Sequence, residues 1–123
     1  MRIFVTGGCG FIGSNFVRFL LREGGDVEVT NFDALTYAGN LENLAGVEEH
    51  PRYKFVKGSI TDREAVDGAL RGGFDIVYNF AAESHVDRSL YEPHVFLDTN
   101  VRGTAVLLEA ALKAKVKRFV QVS

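Results

Sequence analysis

Glycines that follow a short apolar run near the start of the chain restrict the possible folds more than any other feature. Residues 2–6 read RIFVT, a β-branched and aromatic run that predicts a buried parallel strand. The segment GGCGFIG follows at 7–13, and apolar residues at helical spacing continue to Glu23, where Gly24 and Gly25 predict the helix end. A strand, a glycine turn and a helix in this order predict the first unit of a parallel α/β sheet.

The glycines of this turn have the spacing of a phosphate-binding loop, either as Gly7, Gly10 and Gly13 or as Gly8, Gly10 and Gly13. Such a loop needs a positive φ, a backbone that a pyrophosphate can approach, and a helix that packs closely on its strand. Free amides at the helix start then face the phosphates. A nucleotide-triphosphate loop is excluded, because Ser14 stands where that loop requires lysine.

Asp33 lies about 20 residues after Gly13, at the end of the second predicted strand. A carboxylate at this position accepts hydrogen bonds from both hydroxyls of an adenosine ribose and repels a 2′-phosphate. A glycine turn that serves helix packing alone is the simpler alternative, but the positions of the turn and of the carboxylate disfavour it. The sequence therefore predicts a site for NAD rather than for NADP.

The rest of the chain continues the alternation of strands and helices. Four further strands are predicted at 27–32, 53–57, 74–80 and 118–122, and two further helices at 62–71 and 93–114. The last helix carries an apolar face formed by Val101, Ala105, Leu108 and Leu112. Right-handed crossovers between the strands predict an α/β fold, a Rossmann-type doubly wound parallel sheet in one domain over residues 1–123.

Composition excludes several other classes of protein. The net charge is −2 and the basic residues are scattered, which argues against a nucleic-acid partner. Cys9 is the single cysteine, no apolar run is long enough for a membrane span, and no basic and apolar leader opens the sequence, so we expect a cytoplasmic protein that does not enter a membrane. No metal-binding spacing such as HExxH occurs.

Three further stretches carry a family resemblance. They are DALTYAGNLENL from Asp33, AAESHVDRS from Ala81, and FLDTNVRGTAVLLEAA from Phe96. With them the chain resembles the extended short-chain dehydrogenase/reductase family and, within it, the dTDP-glucose 4,6-dehydratases. The resemblance implies an NAD-dependent lyase that converts dTDP-glucose to dTDP-4-keto-6-deoxyglucose and is a homodimer at full length.

The resemblance also implies which residues contact the ligands. Beside Gly7, Gly10, Gly13 and Asp33, the expected NAD contacts are Phe11, Ile12, Ala34, Leu35, Thr36, Ser59, Ile60, Phe80, Ala81, Ala82, Glu83 and Thr99. The expected contacts with the nucleotide sugar are Ser84 and His85. Ser59 departs from the family, which usually carries aspartate there, so we expect its adenine contact to be weaker or bridged by water.

No catalytic residue is expected within this chain. In the resembled family the acid and base come from a Thr-Asp-Glu segment immediately after the fifth strand and from a Tyr-x-x-x-Lys helix further on, and we expect no substitute pair among the tyrosines present. The chain would then be the N-terminal, NAD-binding part of a parent enzyme, with its sheet truncated after the fifth strand and the substrate-binding lobe absent.

Two alternatives remain open at this point. A nucleotide-sugar 4-epimerase or decarboxylase of the same family shares the glycine turn and Asp33 but carries different residues in the loop that begins at Ala81. A non-catalytic NAD-binding module is the alternative from another class, and the sequence that follows Ser123 would discriminate between them.

Overall fold

The computed structural model describes residues 1–35, 41–81 and 98–122 of the chain. The strands are β1 (Arg2–Thr6), β2 (Glu28–Asp33), β3 (Tyr53–Lys57), β4 (Ile76–Asn79) and β5 (Arg118–Gln121). The helices are α1 (Phe11–Glu23), a 3₁₀ helix (Leu41–Leu44), α2 (Arg63–Leu70) and a π-helical segment (Asp98–Gly103) that continues into α3 (Thr104–Lys113). This order confirms the predicted alternation.

The five strands form one parallel sheet in the order β3-β2-β1-β4-β5. Strand β1 pairs with β2 on one side, where Thr6 lies opposite Phe32, and with β4 on the other, where Thr6 lies opposite Asn79. The chain therefore builds the sheet outwards from β1 in one direction and then in the other. Ligands in such sheets bind beyond the carboxyl ends of the strands where the order reverses, which is the crevice between β1 and β4.

Helices cover both faces of the sheet, because alternate residues of each buried strand supply a separate core. On one face α1 packs over Val5 and Val29 with its residues Val17 and Leu21. On the other face, Phe4 and Phe32 belong to a core that includes α2 and α3. The ring of Phe4 lies 5.6 Å from that of Phe32 and 5.2 Å from that of Phe74, measured between centroids.

Most element boundaries agree with the sequence predictions. β1, α1 and β3 begin and end where predicted, β2 is shifted by one residue, and β4 is shorter than the predicted 74–80. Asp62 caps α2 as predicted, since its Oδ1 accepts from the amide of Ala65 at 3.2 Å. The first part of the predicted helix 93–114 lies outside the described residues, and its described part begins with π-helical rather than α-helical geometry.

The predicted apolar face of the last helix does not pack against the sheet. Val101, Leu108 and Leu112 are 65%, 40% and 78% exposed, and Ala105 is also exposed. The buried side of this helix is instead formed by Gly103, Val106, Leu107, Ala110 and Ala111. The helix is apolar on both sides, so its periodicity alone did not determine which side would meet the core. We refer to the four exposed residues as the α3 stripe.

No described helix has both the length and the apolar character needed to cross a membrane.

Candidate functional site

The turn between β1 and α1 lies beside the carboxyl ends of β2 and β4. Gly7 has a φ of 72°, which L-residues with side chains rarely adopt, and its amide donates to the carbonyl of Phe32 at 3.1 Å. A Cβ on Gly7 would lie 2.6 Å from the carbonyl carbon of Phe80 and from the amide nitrogen of Ala81. Of the two overlapping glycine patterns, the one beginning at Gly7 thus supplies the positive φ, and Gly7 also permits the close approach of the β4 chain.

Helix α1 begins immediately after this turn. Gly10 precedes its first residue without a side-chain cap, and the amide of Gly10 donates to the carbonyl of Gly7 at 3.2 Å. A Cβ on Gly13 would lie 2.2 Å from that same carbonyl oxygen, so only glycine lets the helix pack this closely on the turn. Phe11 and Ile12, in the first helical turn, are 78% and 65% exposed. The start of α1 is therefore an open surface with amide donors that have no intrahelical partner.

Asp33 ends β2 with its carboxylate buried and already oriented. Its Oδ2 accepts from the amide of Cys9 at 2.8 Å and its Oδ1 from the amide of Leu35 at 2.7 Å. Leu35 has a φ of 57°, an unusual left-handed conformation for a residue with a side chain. A carboxylate has about four lone-pair sites and these two amides use two of them, so acceptor capacity remains for further donors.

Asn31, two residues earlier on β2, is a buried residue that the sequence interpretation missed. Its Oδ1 accepts from the amide of Gly8 at 2.9 Å, and its Nδ2 donates to the Cys9 sulfur at 3.4 Å and to the Tyr53 hydroxyl at 3.2 Å. Burial raises the pKa of the Cys9 thiol from 9.0 to about 11, and the nearby Asp33 carboxylate contributes to the rise. An asparagine within a strand gives no sequence signal of such a contact.

A second polar cluster lies at the carboxyl ends of β1, β4 and β5. The Thr6 hydroxyl donates to Oδ1 of buried Asn79, which also accepts from the amide of Ala81 at 3.1 Å. Nδ2 of Asn79 donates to Oε1 of Gln121 at 2.8 Å. The ring of Phe80 packs against that of Phe16 on α1, with 5.3 Å between the centroids. These bonds fix the backbone of Phe80 and Ala81, two predicted NAD contacts, beside the glycine turn.

Ser59 and Ile60 follow β3, the edge strand beside β2. The Ser59 hydroxyl lies 2.7 Å from that of Thr61 and accepts from the Thr61 amide at 3.2 Å. Ile60 is 4% exposed and packs against Gly103, where a Cβ would lie 2.5 Å from Ile60 Cγ1. The Ile60 side chain is thus covered by protein, which leaves its backbone as the part that a ligand could reach.

Several predicted site residues lie outside the described residues. This applies to Thr36 and to the run Ala82, Glu83, Ser84 and His85. Thr99 lies in the π-helical segment, but its side chain is also outside the description. The predicted sugar contacts therefore stay predictions, whereas the glycine turn, Asp33 to Leu35, and Phe80 with Ala81 are brought together at one end of the sheet.

The spacing Tyr-x-x-x-Lys occurs once in the chain, at Tyr53 and Lys57, although it does not lie on a helix. Both residues belong to β3, where positions four apart are separated by about 13 Å, rather than to a helix, where they would be neighbours. Tyr53 is buried against Asn31 while Lys57 is exposed, so the two groups cannot act as one acid–base pair.

Within 1–35, 41–81 and 98–122, no three His, Cys, Asp or Glu side chains come together in a group that could hold a metal ion.

Known proteins similar to this chain are longer than it is, and the chain matches only part of each. A family model described as GDP-mannose 4,6 dehydratase matches residues 4–123. The low-salt glycan biosynthesis protein Agl12 of Haloferax volcanii is 55% identical over 123 residues, which is 100% of this chain and 39% of the relative. The dTDP-glucose 4,6-dehydratase of Streptomyces griseus is 56% identical, over 98% of this chain and 37% of its own length.

Solved structures show the same likeness. DesIV, a dTDP-glucose 4,6-dehydratase from Streptomyces venezuelae whose crystal structure contains NAD, superposes with a TM-score of 0.90 at 53% identity. The match covers 97% of this chain and 38% of DesIV. The chain thus spans well under half of the length of each of these three proteins.

Proposed function

This chain belongs to the GDP-mannose 4,6 dehydratase family, and on that basis we propose that it forms the NAD-binding part of an enzyme that dehydrates a nucleotide-activated hexose. The observation that carries the proposal is the joint placement of the Gly7 turn, the open start of α1 and the oriented Asp33 carboxylate at the switch point of the sheet. The Streptomyces venezuelae relative, with NAD in its crystal structure, supports the choice of cofactor.

The described residues fit NAD in three respects. Gly7 and Gly13 let the turn pack closely on β4 and on α1, and this packing leaves the first amides of α1 open to a pyrophosphate. Asp33 retains acceptor capacity for further donors, which suits the two hydroxyls of an adenosine ribose. Phe11 and Ile12 offer exposed apolar surface that a bound dinucleotide would cover.

We assign the remaining predicted contacts to the same ligand as part of this proposal. Ala34, Leu35 and Thr36 would lie along the adenosine ribose, Ser59 and the Ile60 backbone beside the adenine, and Phe80 to Glu83 with Thr99 on the nicotinamide side. The negative charge of Asp33 would oppose the 2′-phosphate of NADP, because a carboxylate and a phosphate held at hydrogen-bond distance repel one another.

The substrate we propose is dTDP-glucose, with Ser84 and His85 as contacts to the nucleotide sugar. Support comes from the names of the Streptomyces relatives and from the AAESHVDRS stretch after β4. The chemistry that NAD supplies in such an enzyme is reversible acceptance of a hydride from the sugar. The residues of this chain would hold the cofactor in register with the sugar, while the acid and base are not assigned to it.

The assembly and location of the protein complete the proposal. The α3 stripe leaves an apolar helix surface open, which supports a homodimer in the whole enzyme. A cytoplasmic location is supported by cysteine usage, since Cys9 is a free buried thiol.

Product analysis tests the proposed activity. The protein that contains this chain is incubated with NAD and dTDP-glucose, and the nucleotide sugars are identified by mass spectrometry and NMR. We expect a 4-keto-6-deoxy sugar nucleotide, formed by net loss of one water. Recovery of a C4 epimer of unchanged mass would contradict the dehydratase and support the epimerase, and unaltered dTDP-glucose with bound NAD would support a binding module.

A further inference from the structure

We propose that Asn31 is a positioning residue for the cofactor site: its buried carboxamide sets the conformation of the glycine turn and so the place of the α1 amides relative to Asp33. This inference rests on the proposed NAD-binding function. Asn31 would not touch the cofactor itself, because it lies within β2 and is fully buried.

The hydrogen bonds of Asn31 connect three parts of the chain. Its oxygen holds the Gly8 amide at 2.9 Å, and its nitrogen donates to the Cys9 sulfur in the same turn and to the Tyr53 hydroxyl on β3. A carboxamide has two donor hydrogens and one acceptor oxygen, so all of its groups are used. These buried hydrogen bonds favour one conformation of the turn, because a shifted turn would leave the carboxamide and the Gly8 amide without partners.

Gly8 and Asn31 also fit each other sterically. A Cβ on Gly8 would lie 2.3 Å from Asn31 Oδ1 and 2.5 Å from its Cγ. Gly8 does not have a positive φ, so its backbone conformation would accept alanine. Glycine is therefore required at position 8 by the space that the Asn31 side chain occupies, and the two residues form a matched pair.

Asn31 and Asp33 act on neighbouring residues of the turn. Side chains two positions apart on a strand point to the same side of the sheet, so Asn31 holds Gly8 while Asp33 holds Cys9. The amide of Gly10 is bonded to the Gly7 carbonyl. The amides of the turn are thus used within the protein, and the first turn of α1 becomes the surface that donates to phosphate.

The test compares Asn31→Leu with Tyr53→Phe in titrations with NAD, ADP and adenosine. Asn31→Leu removes the hydrogen bond between the Gly8 amide and the Asn31 side chain. Tyr53→Phe removes only the bond from Asn31 Nδ2 to the Tyr53 hydroxyl and keeps the bond to Gly8. We expect Asn31→Leu to raise the Kd of NAD and of ADP by the same factor, about tenfold or more, and to leave adenosine unchanged. Tyr53→Phe should stay within about twofold.

Amide hydrogen exchange gives a second measurement that needs no ligand. Asn31→Leu should speed exchange at the Gly8 amide by about tenfold or more relative to the α1 interior, and Tyr53→Phe should not. Absence of NAD binding by the protein without substitutions would overturn the proposed function. Equal losses for NAD and adenosine, or unchanged Gly8 exchange, would overturn the role of Asn31 while NAD binding stands.

A double-mutant cycle keeps the inference testable if Asn31→Leu does not fold. On its own, with Asn31 unchanged, Gly8→Ala should weaken NAD binding by about tenfold, because the new methyl group displaces the Asn31 side chain. In an Asn31→Ala background, where that space is free, the same change should cost less than about twofold. Additive losses would contradict the matched pair.

Discussion

Replacing Asp33 with asparagine changes the charge and one acceptor of the proposed ribose site while keeping its shape. The carboxylate now holds the amides of Cys9 and Leu35, one on each oxygen. Asparagine offers one oxygen and one NH₂ group, so one of these amides would face another donor, at a cost of about 1–3 kcal/mol in the free energy of unfolding. The charge-assisted bonds to the ribose would be lost as well.

The expected effect on binding follows from those bonds. A hydrogen bond to a charged group contributes about 1.5–3 kcal/mol, so Asp33→Asn should raise the Kd of NAD by about 10- to 150-fold. The affinity for NADP should fall less or rise, because the charge that opposes its 2′-phosphate is gone. Titration calorimetry with both dinucleotides measures the two constants and their ratio.

Asp75→Asn is the matched control for this experiment. It removes the same charge from a carboxylate that also accepts from a backbone amide, that of Arg2 at 2.8 Å, and it lies at the amino ends of β1 and β4, opposite the site. The control should leave both dinucleotide affinities and the ratio unchanged. An unchanged Kd of NAD in Asp33→Asn, or a ratio of NAD to NADP affinity equal to that of the control, would refute the assignment of Asp33 to the ribose.

Four further changes test other parts of the structure. Ser59→Asp should strengthen NAD binding by about 1–2 kcal/mol in titrations, because a carboxylate accepts more strongly from an adenine amino group. Gly13→Ala should lower the free energy of unfolding in urea by about 2 kcal/mol or more, since its Cβ would meet the Gly7 carbonyl, whereas Gly68→Ala, in open space on α2, should raise it by about 0.5–1 kcal/mol. The raised pKa of Cys9 means that the folded state disfavours the thiolate, so the contribution of this thiol to the free energy of unfolding should be fully present below pH 9 and lost towards pH 11. Cys9→Ala should reduce this alkaline loss of stability in urea titrations. Leu112→Glu, on the α3 stripe, should shift the whole enzyme from dimer to monomer in sedimentation analysis.

Each of these predictions has a contradicting result. A weaker NAD affinity in Ser59→Asp would place the adenine elsewhere. Equal effects of alanine at Gly13 and Gly68 would mean that helix propensity rather than packing governs both positions. An alkaline fall in stability that persists without the thiol would remove Cys9 as its cause. An unchanged sedimentation coefficient in Leu112→Glu would exclude the α3 stripe from the dimer interface.

The sequence was informative where local rules determine structure. The bounds of β1 and α1 followed from a β-branched run, from helical spacing and from glycines, all of which act over a few neighbouring residues. Asp33 was found by its distance from the turn, because that distance is the length of one helix and one strand.

Contacts between distant segments could not be found in this way. The hydrogen bond from the Gly8 amide to Asn31 joins residues that only the pairing of β1 with β2 brings together. The apolar pattern did not show which side of α3 packs on the sheet, because Val106 and Leu107 are as apolar as Leu108 and Leu112. The close packing of Ile60 on Gly103 likewise depends on the tertiary structure.

A crystal structure of the protein with NAD tests the central claim most directly. We expect the pyrophosphate to lie at the first amides of α1, over the turn from Gly7 to Gly10, and both hydroxyls of the adenosine ribose to lie within hydrogen-bond distance of the Asp33 carboxylate. NAD bound away from the Gly7 turn, or a ribose that does not contact Asp33, would contradict it.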